Sequence, residues 1–395
     1  MDCPRSDLDP FSDAFLADPL SFHAALRDAG PVVWLERYGV YAVARYAEVC
    51  AVLDDWRSFC SGRGVGLADF AKQTPWRKPS LVLEADPPLH TRTRGVLWRA
   101  MSGPTLERLR PRFAETADRL VDALLARGRI DASRELAEAF VLAVFPDAVG
   151  LAESGRENLL PYGDLAFNAF GPRNRLFEVS FAHAQTVGDW IGAQCRRDAL
   201  APGALGAQIY GEADAGEISD DEAALLVRSL LTAGLDTTIA GINAALHCFA
   251  THPEQWALLR AEPGLLRGAF GEVMRHGSPA QTFFRTTTRA VELGGAKLGE
   301  GEKVLLFLAA ANRDPRKWPE PDRFDIRRRA TGHVAFGRGV HMCVGQVLAR
   351  MEMELVLAAL ARRVGAIQPC GAPSWRLNNT LRAIEHLPVA LTPAS

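Results

Sequence analysis

The stretch from Ala223 to Ala250, AALLVRSLLTAGLDTTIAGINAALHCFA, constrains the fold more than any other part of the chain. It is long enough to cross a bilayer as a helix. Arg228 and Asp236 lie inside it, however, and charges at membrane depth are costly. The stretch is therefore expected to be a long helix buried in a globular core. Ser219-Asp-Asp-Glu222 reads as a capping box at its start. Thr251-His-Pro253 marks its end, because proline stops a helix. The chain has 395 residues, 48% of them apolar, which suffices for a large core.

No Gly/Ser linker, low-complexity tract or internal repeat divides the chain, so residues 1–395 are read as one domain. Lys and Arg number 45 against 47 Asp and Glu, a net charge of −2. That balance gives no reason to expect nucleic acid or a polybasic membrane contact. The 7 cysteines are widely scattered, which argues against a disulfide framework and fits a reducing cytoplasm. The chain has no C-x-x-C pair of the kind that holds zinc or an iron–sulfur cluster. The first residues, MDCPRSDLDPFSDAF, carry no apolar stretch of the signal-peptide type, so neither leader nor anchor is expected.

Elsewhere, Pro31 to Arg45 alternates as a short hairpin would. Asp86-Pro-Pro-Leu-His90 opens a helix with proline in its first turn. Leu106 to Ala126, Leu136 to Phe145 and Val187 to Arg197 have helical periodicity. Phe283 to Thr288, Lys303 to Phe307 and Pro388 to Leu391 read as strands. The expected class is mainly α with small β-sheets at one side.

The chemistry is concentrated in Phe336 to Gly345, FGRGVHMCVG. Cys343 lies among glycines that allow sharp turns and close approach to a flat cofactor. The apolar run that follows predicts a helix whose N-terminal end faces the sulfur and lowers the thiol pKa. A thiolate in such a loop can ligate haem iron and favour O–O cleavage. A glycine turn with a buried structural cysteine is the ordinary alternative, but three further elements occur in order beside it. They are Ala233-Gly-Leu-Asp-Thr-Thr238, Glu272-Val-Met-Arg275 and Pro321-Asp-Arg323-Phe.

The decapeptide resembles F-x-x-G-x-H-x-C-x-G, the haem-ligand loop of cytochrome P-450 monooxygenases. The other three resemble the family's oxygen-activating stretch, its E-x-x-R motif and the partner segment of that motif. The likeness implies the triangular-prism fold, with haem b held by an axial thiolate at Cys343. It assigns the haem contacts to His90, Arg94, Arg285, Phe336, His341, Cys343 and Gly345. Glu272, Arg275 and Arg323 are implied to form a structural network that locks the cysteine loop. Asp236 and Thr237 are implied to serve oxygen activation, a hydroxyl holding ordered water and a carboxylate resupplying protons. The ordinary alternative for Thr237 is a hydroxyl bonded to the i−4 carbonyl. Gly234 is expected to leave a gap in the helix for dioxygen.

A narrower likeness runs through PWRKPSLVLEADPP, FNAFGP, LLVRSLLTAGLDTT, SPAQTFFRTTTR and LNNTLR. These stretches are similar to those of bacterial enzymes that oxidise para-substituted benzoates, typically by O-demethylating 4-methoxybenzoate. Ser229, Ala233, Asp236 and Thr237 fall on one helix face. Eight residues of helix rise about 12 Å, comparable to the span of a benzoate from acid to para group. The likeness adds Arg77, Ser80 and Arg228 at the acid end, with Val82, Leu83, Phe167, Phe170, Ala233 and Phe283 around the ring.

The implied partners are a 2Fe–2S ferredoxin, an NADH-dependent ferredoxin reductase and a small aromatic carboxylic acid. Arg338, Arg350, Arg362 and Arg363 either present positive charge to the electron donor or form an ordinary solvated face. Another acid such as cinnamate, an uncharged terpene or macrolide, and a non-catalytic haem sensor or electron carrier are the rival readings. Two segments are candidates for opening the pocket: Gly62–Phe70 and the chain around Pro172.

Overall fold

The structure, a computed structural model, describes residues 3–394. The long apolar segment is helical, and its start is capped as its sequence requires. The Ser219 hydroxyl accepts from the Glu222 backbone N–H, while the Glu222 carboxylate accepts from the Ser219 N–H. The segment is not one continuous helix. It comprises Asp220–Ala233 and Asp236–Thr251, interrupted at Gly234 and Leu235. Two threonine hydroxyls account for the break by competing for its carbonyls: Thr237 Oγ1 donates to Ala233 O (2.6 Å) and Thr238 Oγ1 to Gly234 O (2.9 Å). Leu226, Val227, Leu231, Ala245 and Phe249 are fully buried, as a core helix requires. Although long and apolar enough to cross a membrane, the helix has 67% of its most apolar window buried inside the molecule.

The helices Leu159–Asn168, Leu266–Gly277 and Gln346–Arg363 pack on this central pair. The expected Leu106–Ala126 helix spans Gly103–Arg127. The 136–145 stretch begins as a wide π-helical turn, Ser133–Glu138, and continues as Ala139–Val149. Pro88 caps the Leu89–Ala100 helix instead of sitting in its first turn.

The sheets are small, as expected. A six-stranded sheet runs in the order Arg5–Ser6, Val33–Leu35, Val40–Val43, Lys303–Phe307, Thr282–Thr287 and Phe59–Cys60. The expected hairpin is present, with Val33 opposite Ala42. Lys303–Phe307 is buried along its whole length, which suits an interior strand reading KVLLF. Pro388–Pro393 lies between Val364–Pro369 and Arg129–Asp131 in a separate three-stranded sheet. The molecule is mainly helical with small sheets.

Candidate active site

The Phe336–Gly345 loop is shaped by its glycines. Gly337 and Gly339 have φ of +67° and +66°, and a Cβ on Gly339 would lie 2.7 Å from the Leu53 carbonyl. Cys343 N donates to Phe336 O (2.8 Å), closing the turn that presents the sulfur. Burial pushes the Cys343 thiol up, while the backbone N–H groups of Gly345 and Gln346 and the charge of Arg94 work in the opposite direction. The Gln346–Arg363 helix begins there, as the sequence predicts. The Phe336 ring stacks on Phe270 (5.8 Å) beneath the loop.

Cys343 faces a cavity of about 1710 Å3, the open space at its mouth included. Arg94, Arg285 and His341 line it, with Phe336 and Gly345. Arg285 is 6% exposed, and among the described residues its guanidinium donates only to the Phe284 carbonyl (2.8 Å). Burial lowers its pKa to about 10. His90 sits against His341, with ring centroids 4.2 Å apart. Neither ring nitrogen of His90 has a partner, and its pKa is pushed down to about 4 by burial, then by His341 and Arg94. His341 Nε2 meets Asp86 Oδ1 at 3.3 Å while its Nδ1 is unpartnered. Among the described residues no carboxylate pairs with Arg94 or Arg285, and buried cations require an anion, while the free imidazole nitrogens of His90 and His341 can hydrogen-bond to one. A flat cofactor with two carboxylates fits this donor set, and Cys343 would ligate it.

Behind the loop, Glu272 and Arg275 are both 0% exposed and joined by two hydrogen bonds of 2.8 and 2.7 Å. The second guanidinium on Glu272 is not that of Arg323, as expected, but that of Arg328, whose Nε lies 3.1 Å from Oε1. Arg323 points outward between Glu320 and Asp325 and contributes only its carbonyl, which accepts from Arg275. The physical reason is the turn that follows. Asp325 N donates to Glu272, and the backbone bond from Arg328 N to Asp325 O brings Arg328 back over the buried carboxylate.

At another part of the cavity, Ser80 and Ser229 bring their hydroxyls within 3.0 Å of each other. Arg77 lines the same region. Its Nη2 lies 3.6 Å from Glu84 Oε2, which also accepts from Ser80 N (2.7 Å). Arg228, expected at this end without any need to touch the substrate, is not among the cavity-lining residues. Its guanidinium donates to the carbonyls of Lys78 (2.6 Å) and Pro79 (3.4 Å), so it braces the Ser80 segment from behind. Val82, Leu83, Phe167, Phe170, Ala233 and Phe283 all line the cavity. Phe170 makes an edge contact with Phe167 (5.9 Å) and a tilted one with Phe283 (5.8 Å).

A sequence model of the family described as Cytochrome P450 matches residues 193–364. The chain is 59% identical to "Cytochrome p450 CYP199A2" of Rhodopseudomonas palustris, over 99% of this chain and 95% of the relative. It is 34% identical to "Cytochrome P450 107B1" of Saccharopolyspora erythraea over 97% of each chain. The chain belongs to the cytochrome P450 family. Among solved structures, cytochrome P450 CYP109Q5 from Chondromyces apiculatus is 32% identical with a TM-score of 0.82, covering 98% of this chain and 99% of that one. The cytochrome P450 CREJ in complex with (4-ethylphenyl) dihydrogen phosphate is 25% identical with a TM-score of 0.86, covering 97% and 99%. Members of this family are haem-thiolate monooxygenases, and bacterial ones typically draw electrons from separate redox partners.

Gly234 lies at the interruption in the helix and lines the cavity, and a Cβ there would meet the Phe145 ring at 2.3 Å. Asp236 does not share the cavity face with Ser229, Ala233 and Thr237. The helix break at Gly234–Leu235 turns it away toward Arg376, whose Nη2 lies 3.1 Å from Asp236 Oδ1. Asp236 Oδ2 has no partner and packs against Gly163, where a Cβ would be 1.7 Å away. Burial pushes the Asp236 carboxyl up to about 6, against the pull of Arg376. Thr237 does line the cavity, with its hydroxyl engaged by the Ala233 carbonyl.

Glu84, Arg328, Arg376 and Glu352 were not singled out from sequence. Glu352 lines the cavity fully buried, with neither carboxylate oxygen partnered. Nothing in their spacing marks them; Arg328 is the middle of an Arg327-Arg328-Arg329 run. The loop before Ser80 and the chain around Pro172, the two candidate openings, are tied together. Leu67 N donates to Phe170 O (2.8 Å), and a Cβ on Gly66 would lie 2.7 Å from the Phe170 backbone.

Proposed function

We propose that this P450 oxidises para-substituted benzoic acids, with O-demethylation of 4-methoxybenzoate as its principal reaction. The observation that carries the reading is the Ser80–Ser229 hydroxyl pair beside Arg77 in a cavity that Val82, Leu83, Phe167, Phe170, Ala233 and Phe283 also line. Hydroxyls and a guanidinium suit a carboxylate, and arginine grips it in a fixed fork. A neutral analogue gains no charge-assisted bond here, because Ser229 Oγ already donates to Leu225 O (2.9 Å) and Arg77 keeps Glu84. Ser229 and Thr237 both line the cavity, on either side of the helix break, so an acid held at Ser229 directs its para group toward Thr237. The relative holding a para-ethylphenyl phosphate shows that an aryl anion fits this fold.

The overall reaction takes 4-methoxybenzoate, dioxygen, two electrons and two protons to 4-hydroxybenzoate, formaldehyde and water. Haem b, held through Cys343, would supply the activation of dioxygen. His90, Arg94, Arg285 and His341 would hold its carboxylates, Phe336 and Gly345 would pack on it, and Glu272, Arg275 and Arg328 keep the cysteine loop in place. Arg77, Ser80 and Ser229 bind the acid, and Arg228 fixes the backbone that carries Ser80. Val82, Leu83, Phe167, Phe170, Ala233 and Phe283 orient the ring and exclude water. Thr237 positions a proton at its Oγ1 once that hydroxyl leaves the Ala233 carbonyl, and Asp236 resupplies it after turning from Arg376 toward the cavity. Electrons reach residues 1–395, acting as one cytoplasmic domain, from a 2Fe–2S ferredoxin and its NADH-dependent reductase. Arg338, Arg362 and Arg363 are already paired with Asp54, Asp118 and Asp122, so they offer the donor less free charge than their number suggests.

Titration of the ferric holoenzyme with 4-methoxybenzoate tests the proposal. A low-spin to high-spin shift is expected, with 4-hydroxybenzoate and formaldehyde formed under electron supply. Absence of a shift with every small aromatic acid overturns the substrate assignment, and a shift without product overturns the reaction.

A further inference from the structure

Behind the niche that suits a carboxylate, outside the lining of the Cys343 cavity, stands a carboxylate of the protein's own. Glu84 is buried with its side chain 5% exposed, against 10% for Arg77. Its Oε2 lies 3.6 Å from Arg77 Nη2 and accepts the Ser80 N–H at 2.7 Å. Among the described residues no other carboxylate comes within salt-bridge distance of Arg77. The remaining groups of that guanidinium are poorly used: Nη1 reaches the Lys78 carbonyl at 3.4 Å, and Nε is buried without a partner. The neighbouring guanidinium of Arg228 is committed to backbone carbonyls. Thus the charge of Arg77 is balanced before any acid arrives, and its hydrogen-bonding capacity is not exhausted.

We propose that Glu84 is the resident counter-ion of Arg77 and a specificity-determining residue, displaced from the guanidinium by the incoming carboxylate. The inference rests on the aromatic-acid reading above. In the empty niche, Glu84 spares a buried guanidinium from standing alone. When an acid binds, Arg77 swings its fork from Glu84 to the substrate. Glu84 keeps its bond to Ser80 N, so the niche retains its shape while the ion pair is exchanged. With two carboxylates then beside one guanidinium, like-charge repulsion moderates the hold on the acid, and the product, itself an acid, leaves more readily. A neutral analogue cannot take part in the exchange and leaves the Arg77–Glu84 pair closed.

Glu84→Gln removes the competing charge and keeps an oxygen to accept from Ser80. Ferric holoenzyme of wild type and E84Q is titrated with 4-methoxybenzoate and with 4-methoxybenzamide, and Kd is read from the spin-state shift. The expected result is an acid bound about tenfold more tightly by E84Q, with the amide changed less than about twofold or undetectable in both. An acid Kd that is unchanged or raised in E84Q, while wild type shifts normally, overturns the counter-ion role alone. No shift of wild type with any aromatic acid defeats the substrate reading instead. Should E84Q take up no haem, crystals of wild-type holoenzyme with and without 4-methoxybenzoate decide. The Arg77–Glu84 separation is expected to exceed 4 Å when the acid is bound; an unchanged separation overturns the proposal.

Discussion

Glu272 accepts from Arg275, from Arg328 and from the Asp325 backbone N–H while wholly shielded from water. Removing one partner from a buried ion network leaves charge uncompensated, at about 3–5 kcal/mol. Arg328→Gln is therefore expected to lower the unfolding midpoint and haem content sharply. Arg323→Gln, whose side chain is 58% exposed, is expected to change stability by no more than about 0.5 kcal/mol. Haem content and thermal melts of the pair distinguish the two arginines. The E-x-x-R half of the network is legible in the sequence because a helix fixes its spacing. The other half is not, because a turn, rather than a regular element, selects one arginine from several. Glu352 gives a pH signature of its own. Burial pushes its carboxyl up to about 8, from 4.5 in an unfolded chain. Between those values the native state keeps a proton that the unfolded chain has lost, so stability falls as pH rises through the window. Glu352→Gln is expected to be more favourable relative to wild type at pH 8 than at pH 5, as read by urea denaturation. Equal differences at both pH values would show that Glu352 does not titrate in this way.

At the scale of elements, the interrupted central helix decides which side chains meet the cavity. Helical spacing places Ser229, Ala233 and Thr237 correctly, because the first two lie before the break and Thr237 remains on the same side after it. Asp236 defies that spacing, since the break rotates it toward the Leu159–Asn168 helix and Arg376. Such a break is hard to read from sequence: a threonine pair after a glycine also occurs in continuous helices. The crossing at Gly163 is tight enough to test. Gly163→Ala would place a methyl group 1.7 Å from Asp236 Oδ2. Overpacking of this kind costs about 1–3 kcal/mol, so a lowered melting temperature is expected, together with displacement of the carboxylate. Thr237→Ala is expected to leave stability nearly unchanged but to divert reducing equivalents into hydrogen peroxide. Peroxide formed per NADH consumed measures this, and undiminished coupling would count against the hydroxyl.

At the scale of the molecule, helices and small sheets enclose a cavity whose polar groups are concentrated at separate places. Around Cys343, both ring nitrogens of His90 and Nδ1 of His341 have no partner among the described residues, and the guanidinium of Arg285 is lightly used. A ligand that binds only the folded state at a thousandfold excess over its Kd adds about 4 kcal/mol. Extraction of haem is therefore expected to lower the unfolding midpoint substantially, with recovery when haem is restored. An apo form as stable as the holoenzyme would refute the assignment of these residues to the propionates. The Leu67–Phe170 bond has a different consequence. It ties together two stretches that sequence alone treats as rival doorways. Displacing either one must break its hold on the other or carry that stretch along.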